Sequence, residues 1–206
     1  PSIPTVWQTL TQFLTGVYQT HDGRDLTIRS AAVDSGGHHT QSVYHFCKAN
    51  QGQRWFAIKG VGGDIGNRPV VGRPSKNNSA KCPLYPVGTD TAKDLIFSRL
   101  KIGEEGAGFV HFSANLEDEY FRQLTAEKIV QRFHKGYAKR GFVKTRQRNE
   151  ALDCMVYALA AYSILGLNVN SLADRITEQT EKPDPETPTP RRIPRRSSGF
   201  VNSWRQ

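Results

Sequence analysis

The apolar positions of this chain follow two periods, and the switches between them set out alternating helices and strands. Val6, Trp7, Leu10, Phe13 and Leu14 recur at helical spacing, with Pro4 or Thr5 placed to start the helix. Tyr18 to Gly23 reads as a linker in which His21-Asp22-Gly23 carries turn chemistry. The run from Leu26 to Asp34 then predicts a mostly buried strand, stopped by Ser35-Gly36-Gly37. Thr40 is placed to cap a helix through Asn50, with Val43, Tyr44, Phe46 and Cys47 on one face and Gly52 at its end. Arg54 to Gly60 predicts a second buried strand. Strand, short helix, strand is a βαβ unit, so the two strands are expected to be parallel neighbours in an α/β fold.

Further on, Gly60 to Lys81 reads as a long glycine-rich basic loop, with Arg68, Arg73, Lys76 and Lys81 against Asp64. It suits a phosphate backbone, and equally a solvated surface loop. Leu84 to Asp90 predicts an extended segment, and Thr91 to Leu100 a helix capped by Asp90. A short strand is expected over Gly108 to Phe112, with His111 on its surface, and a helix over Leu116 to Arg132 with Tyr120, Phe121 and Leu124 inward. Phe133 to Arg148 is strongly basic around Tyr137 and Phe142, a composition that fits nucleic acid or a solvated hairpin. Asn149 then caps the strongest helix, running to about Leu165. Past it the pattern fades, which divides the chain into a folded part over 1–170 and a tail over 171–206. That tail is rich in Pro, Thr and Arg, has a disordered composition, and ends in an aromatic segment from Gly199 to Trp204.

Charge narrows the possible partners. With 28 Lys+Arg against 19 Asp+Glu, the formal net charge is +9, which favours polyanions and nucleic acid first among them. Cys47, Cys82 and Cys154 belong to no CxxC or zinc-spaced array and read as reduced thiols of an intracellular protein. No apolar run approaches the roughly 18 residues of a membrane span, and no signal-peptide plan is visible. The first residue is Pro, not Met, as expected of a fragment or processed product. A GxxxxGK[ST] phosphate loop, a GxSxG elbow and an HExxH motif are all absent from the sequence.

Candidate chemistry rests on carboxylates. Asp34 ends a strand, where open α/β sheets place their sites, although an Asp before Gly-Gly is also an ordinary turn residue. Glu150 and Asp153 are three apart near the start of a helix and share a face. Either can instead be structural, Glu150 complementing the helix dipole and Asp153 pairing with Arg146 or Arg148. If Asp34, Glu150 and Asp153 converge, their oxygens suit Mg²⁺ or Mn²⁺, and two such ions could clamp the reacting oxygens of a phosphodiester.

The motifs resemble a known family. Ala32-Val33-Asp34-Ser35-Gly36-Gly37, Val43-Tyr44-His45-Phe46, Ala57-Ile58-Lys59-Gly60, Val87-Gly88-Thr89-Asp90-Thr91-Ala92-Lys93, Gln123-Leu124-Thr125-Ala126-Glu127 and Arg148-Asn149-Glu150-Ala151-Leu152-Asp153-Cys154 occur in order. Together they are similar to the C-terminal nuclease portion of tailed-phage terminase large subunits of the lambda-like GpA type. The resemblance implies a ribonuclease H-like fold and metal-dependent cutting of concatemeric DNA at packaging. It makes Asp34, Glu150 and Asp153 the catalytic and metal-holding carboxylates, and Lys59, Arg68 and Lys93 the DNA contacts. It also implies double-stranded DNA, the terminase small subunit and the procapsid portal as partners, the portal through the C-terminal tail, in the cytoplasm of an infected bacterium. The family's first catalytic Asp lies on an earlier strand that these residues do not include, nor do they include the ATPase motor. The fold is therefore expected to lack its first strands. The alternative expectation is a non-catalytic DNA- and portal-binding fragment, and a third is an inert prophage remnant.

Overall fold

In the computed structural model, which describes residues 5–63, 65–134 and 136–173, the centre is a three-stranded parallel sheet with helices on both faces. The first helix, α1 (Val6–Leu14), starts in a capping box: the Thr5 side chain accepts from Gln8 N–H while the Gln8 side chain accepts from Thr5 N–H. Trp7 leaves this helix to stack on Phe46, ring centroids 4.7 Å apart, and Phe46 in turn stacks on Trp55 at 5.3 Å. The expected strand from Leu26 to Asp34 is two. β1 (Val17–Gln19) and β2 (Asp25–Thr27) pair antiparallel across the turn at His21-Asp22-Gly23, and the chain then bends before β3 (Ala31–Asp34) enters the parallel sheet. Leu26 is 53% exposed, so its apolar character marks a hairpin outside the core.

The βαβ unit forms as its pattern predicts. β3 runs parallel to β4 (Trp55–Val61), with α2 (Thr40–Ala49) and one 3₁₀ turn between them, and β5 (Leu84–Gly88) adds a third parallel strand. Thr40 is not the cap of α2 but its first residue; its hydroxyl donates to the carbonyls of Ser35 and Gly37, tying the helix to the end of β3. Successive residues of β4 face opposite layers. Ile58 packs with Val87, Ala92, Ile96, Val156 and Ala160 on one side, and Ala57 with Val43, Tyr44, Cys47 and Cys82 on the other. This covering of both faces explains why the strands read as continuous apolar runs.

The basic loop is less free than expected. Residues 70–75 lie antiparallel along the outer edge of β5, with Gly72 N–H donating to Pro86 O at 2.8 Å and Ser75 and Leu84 exchanging both backbone bonds. The following helix, α3 (Thr89–Arg99), has Gly88 as its cap, so Asp90 falls inside the first turn and accepts from Gly63 N–H at 2.7 Å. Gly108 to Phe112 forms no strand. Gly106 and Gly108 both take positive φ, and Phe112 packs on Tyr120 and Phe121 instead of pairing its backbone.

The largest departure lies in the expected helix from Leu116 to Arg132. It ends early as α4 (Asp118–Leu124), and the chain turns into β6 (Glu127–His134), paired antiparallel over eight residues with β7 (Tyr137–Lys144). Ile129 and Val130 are β-branched and Phe133 is aromatic, types that carry the segment as a ribbon once a partner strand exists. The long helix α5 (Glu150–Leu165) closes the layer beside β3 and α3, and Gly166 ends it in the left-handed conformation at φ 59°. One compact unit runs through Leu167; residues 169–173 of the next unit are helical. The expected tail, beyond Ala173, lies outside the described residues. No described helix is long and apolar enough to cross a membrane.

Candidate active site

All three parallel strands end on one edge, and α5 packs beside β3 there. Asp34, the last residue of β3, has an exposed carboxylate. Its Oδ1 accepts from Gly36 N–H at 2.9 Å, the turn contact expected of an Asp before two glycines, and its Oδ2 accepts from the Tyr157 hydroxyl at 3.4 Å. A carboxylate has about four lone-pair positions, so these two bonds leave capacity for a further ligand. Tyr157 sits in a narrow place. A Cβ added to Gly60 would fall 3.3 Å from its hydroxyl and 3.1 Å from Thr89 Cγ2, so glycine leaves room for Tyr157 beside the end of β4.

One turn back along α5 lies Asp153, whose side chain is 43% exposed. Burial pushes its carboxyl above the usual range; Lys93 opposes that rise and Glu127 adds to it. Burial also raises the Tyr157 hydroxyl, and the charges of Asp34 and Asp153 push it further the same way. Tyr157 is thus a neutral donor to Asp34 whose hydroxyl also feels the charge of Asp153.

Beneath Asp153 is a buried polar network. Lys93 Nζ donates to both oxygens of Glu127 at 2.8 Å, and Asn149 Nδ2 donates to Glu127 Oε1 at 2.9 Å and to Asp153 Oδ2 at 3.2 Å. Lys144 Nζ donates to Asn149 Oδ1 at 2.8 Å, joining β7 to the start of α5. Lys93, Glu127 and Asn149 are all buried, and among the described residues no buried side-chain nitrogen or oxygen lacks a partner. Asn149 therefore works differently from the expected helix cap: its side chain caps nothing and holds the network.

The structure groups some of the sequence-derived candidates and separates others. Asp34 accepts from Tyr157, and Asp153 lies one turn before Tyr157 on α5. Glu150, one turn before Asp153, is 61% exposed and faces Arg148 at 3.6 Å; Asp153 pairs with Lys93 at 4.0 Å, not with Arg146 or Arg148. Lys59 is exposed near the end of β4, and Arg68 is exposed where the loop crosses Gly88. Lys93 is placed otherwise: its side chain is 11% exposed and locked to Glu127, so its ammonium faces inward and not toward open solvent. Tyr157 and Glu127 were not singled out from the sequence. Tyr157 could have been, since it follows Asp153 by four and shares its helical face. Glu127 could not while its segment read as helix.

Residues 1–175 match the family described as terminase large subunit gpA, endonuclease domain. The chain belongs to that family. The match spans the whole compact unit described above. This gpA-family domain is 31% identical over 199 residues to the terminase large subunit of Enterobacteria phage P21, covering 91% of this chain and 30% of that protein. It is 36% identical over 154 residues to the terminase large subunit of Escherichia phage lambda, covering 71% of this chain and 24% of that protein. The chain thus spans less than a third of these curated relatives. No solved structure shows significant similarity to it.

The donors of this gpA-family domain fit a hard cation by chemistry. Asp34 and Asp153 offer oxygens, and Mg²⁺ is commonly held by one or two carboxylates, with waters and substrate phosphate completing the shell. Among the described residues no group of three or more His, Cys, Asp or Glu side chains is close enough to hold a metal ion.

Proposed function

We propose that this chain is a divalent-metal-dependent endodeoxyribonuclease domain, built on a ribonuclease H-like fold, that cuts concatemeric viral DNA during phage DNA packaging. The observation that carries the reading is the bond from the Tyr157 hydroxyl to Asp34 at the carboxyl edge of the parallel sheet, with Asp153 one turn before Tyr157 on α5, in a chain of the gpA endonuclease family. Asp34 and Asp153 would hold Mg²⁺ or Mn²⁺, with Glu150 as the third carboxylate of the proposed set. When bound, such an ion polarises a phosphoryl oxygen and lowers the pKa of bound water. The protein's own residues do the rest. Tyr157 orients Asp34, Asn149 and Lys93 hold Asp153 in place, and Lys59 and Arg68 offer exposed cations to the DNA backbone. In this reading the partners are duplex DNA, the terminase small subunit and the procapsid portal, in the cytoplasm of the infected host.

A second reading, a DNA- and portal-binding module without chemistry, is favoured by the lack of three converging metal donors among the described residues. Nicking of supercoiled plasmid in Mn²⁺ separates the two. The parent chain is expected to nick, and an Asp34→Ala, Glu150→Ala double variant and an Asp153→Ala variant to stop nicking while still binding DNA. Equal nicking by parent and variants would remove these carboxylates from the chemistry, and binding without nicking by the parent would leave the second reading.

A further inference from the structure

We infer that the β6–β7 ribbon is a DNA-engaging element whose tip rings, Phe133 and Tyr137, press against bases in a groove of the duplex while its exposed cations Lys128 and Arg132 hold phosphates. The inference rests on the DNA-cutting reading only for the choice of polymer. Between Lys128 and Lys144 the ribbon carries six Lys or Arg and no Asp or Glu. Its base is fixed to the domain: Phe142 stacks on Phe97 at 5.5 Å, Arg140 pairs with Asp94 at 3.5 Å, and Thr145 N–H donates to Ala126 O at 2.8 Å. The outer half stands clear, with Phe133 and Tyr137 each 75% exposed.

Two large rings at the end of an otherwise cationic ribbon add nothing to its folding, because a hairpin tip satisfies its backbone with small polar residues. They suit a ligand with flat apolar faces surrounded by negative charge, and duplex DNA has that chemistry. Phe133 pairs across to Ala138 and Tyr137 to His134, so the two rings stand on opposite faces of the ribbon; a tip entering a groove end-on presents both of them to base steps, and the cations beside them meet phosphates. Geometry then links the ribbon to the site. A cleft of about 450 Å³ lies beside it, lined by Gly63, Asp90, Arg132, Phe133, Arg140 and Phe142. Asp90 adjoins Thr89, which stands against Gly60 beside Tyr157. A duplex seated on the ribbon is thereby brought to the edge that carries Asp34.

The test is binding of a short labelled duplex by fluorescence anisotropy across a salt series, in EDTA so that cutting plays no part. Phe133→Ala with Tyr137→Ala is expected to weaken binding at least about tenfold. The slope of log affinity against log salt should stay that of the parent, since neither ring neutralises a phosphate. Arg132→Ala should instead lower that slope by about one. Circular dichroism melts matching the parent would establish that the exposed substitutions leave the fold intact. Unchanged affinity in the ring variant overturns the inference and points to a protein partner for the tip; a loss that lies wholly in the salt slope overturns it too. A parent that binds no duplex overturns this inference and the DNA-cutting reading together. A parent that binds through the rings but never nicks in Mn²⁺ overturns only the latter.

Discussion

Asp34 and Tyr157, 123 positions apart in the chain, meet at 3.4 Å where β3 ends against α5. A hydrogen bond this long at an exposed carboxylate contributes little stability, under about 1 kcal/mol. Its value is orientation, since Gly36 N–H holds only the other oxygen. Tyr157→Phe is therefore expected to shift the urea midpoint slightly and to slow Mn²⁺-dependent nicking less than Asp34→Ala does. Because burial and two neighbouring carboxylates raise the hydroxyl above its ordinary value, it stays protonated through neutral pH. The ratio of parent to variant rates should accordingly be flat between about pH 6 and pH 9; a ratio that changes across that window would mean that the hydroxyl titrates there.

The Lys93–Glu127 pair calls for a double-mutant cycle. Both charges are nearly removed from water, so deleting one partner strands the other, and Lys93→Met or Glu127→Gln should each cost about 3–5 kcal/mol. Replacing both should cost less than the sum of the two, because no unpaired charge is then left. Additive losses by denaturant unfolding would show that the two groups do not depend on each other.

How far the sequence carried this picture follows from which interactions are local. The βαβ unit was legible because Ala57 and Ile58 sit on a sheet covered on both faces, which leaves a continuous apolar run. Helix α5 was legible from its length and composition. The break between β2 and β3 was not, since Leu26 and Val33 are equally apolar while one lies on an exposed hairpin and the other packs on the core. The first strand of the ribbon was misread as helix because α4 ends just before it, and only pairing with β7 decides the conformation of β6, whereas the hairpin offered for Phe133 to Arg148 caught the second strand. That error hid Glu127, and with it the reason Lys93 faces inward. Asp34 and Asp153 could be named from their own neighbourhoods, whereas the contact of Asp34 with Tyr157 depends on how β3 packs against α5.

Gly88 joins the loop that carries Arg68 to the sheet. A Cβ there would lie 2.5 Å from Pro69 O and 3.0 Å from Arg68 Cβ, and a backbone carbonyl cannot swing aside as a side-chain end can. The φ of −73° is ordinary, so the clash alone decides the outcome. Gly88→Ala should cost about 1–3 kcal/mol. It should also release the Gly88 N–H bond to Val70 O, 3.1 Å in the parent. Limited proteolysis should then cut the variant within residues 66–75 sooner than the parent; equal protection would show that the loop accommodates the methyl group.

Asp153 sets stability against function, and the sign can be worked out. Its carboxyl is raised in the folded protein, chiefly by burial, so folding favours the neutral form. Such a group contributes stability below its unfolded pKa and loses that contribution as pH rises through the folded one. At neutral pH the ionised side chain therefore burdens the fold, and Asp153→Asn should be the more stable protein when metal is absent. The substitution keeps an acceptor for Asn149 and leaves Lys93 with Glu127. Urea unfolding in EDTA should show the advantage at about pH 7 and its disappearance below about pH 4, where the carboxyl is neutral in the folded and the unfolded chain alike. The same variant should bind Mn²⁺ more weakly, because the lost charge is the one proposed to hold the ion. Lower stability of the variant at neutral pH would mean that attraction to Lys93 outweighs the cost of burial, and Asp153 would then be a structural anchor of α5.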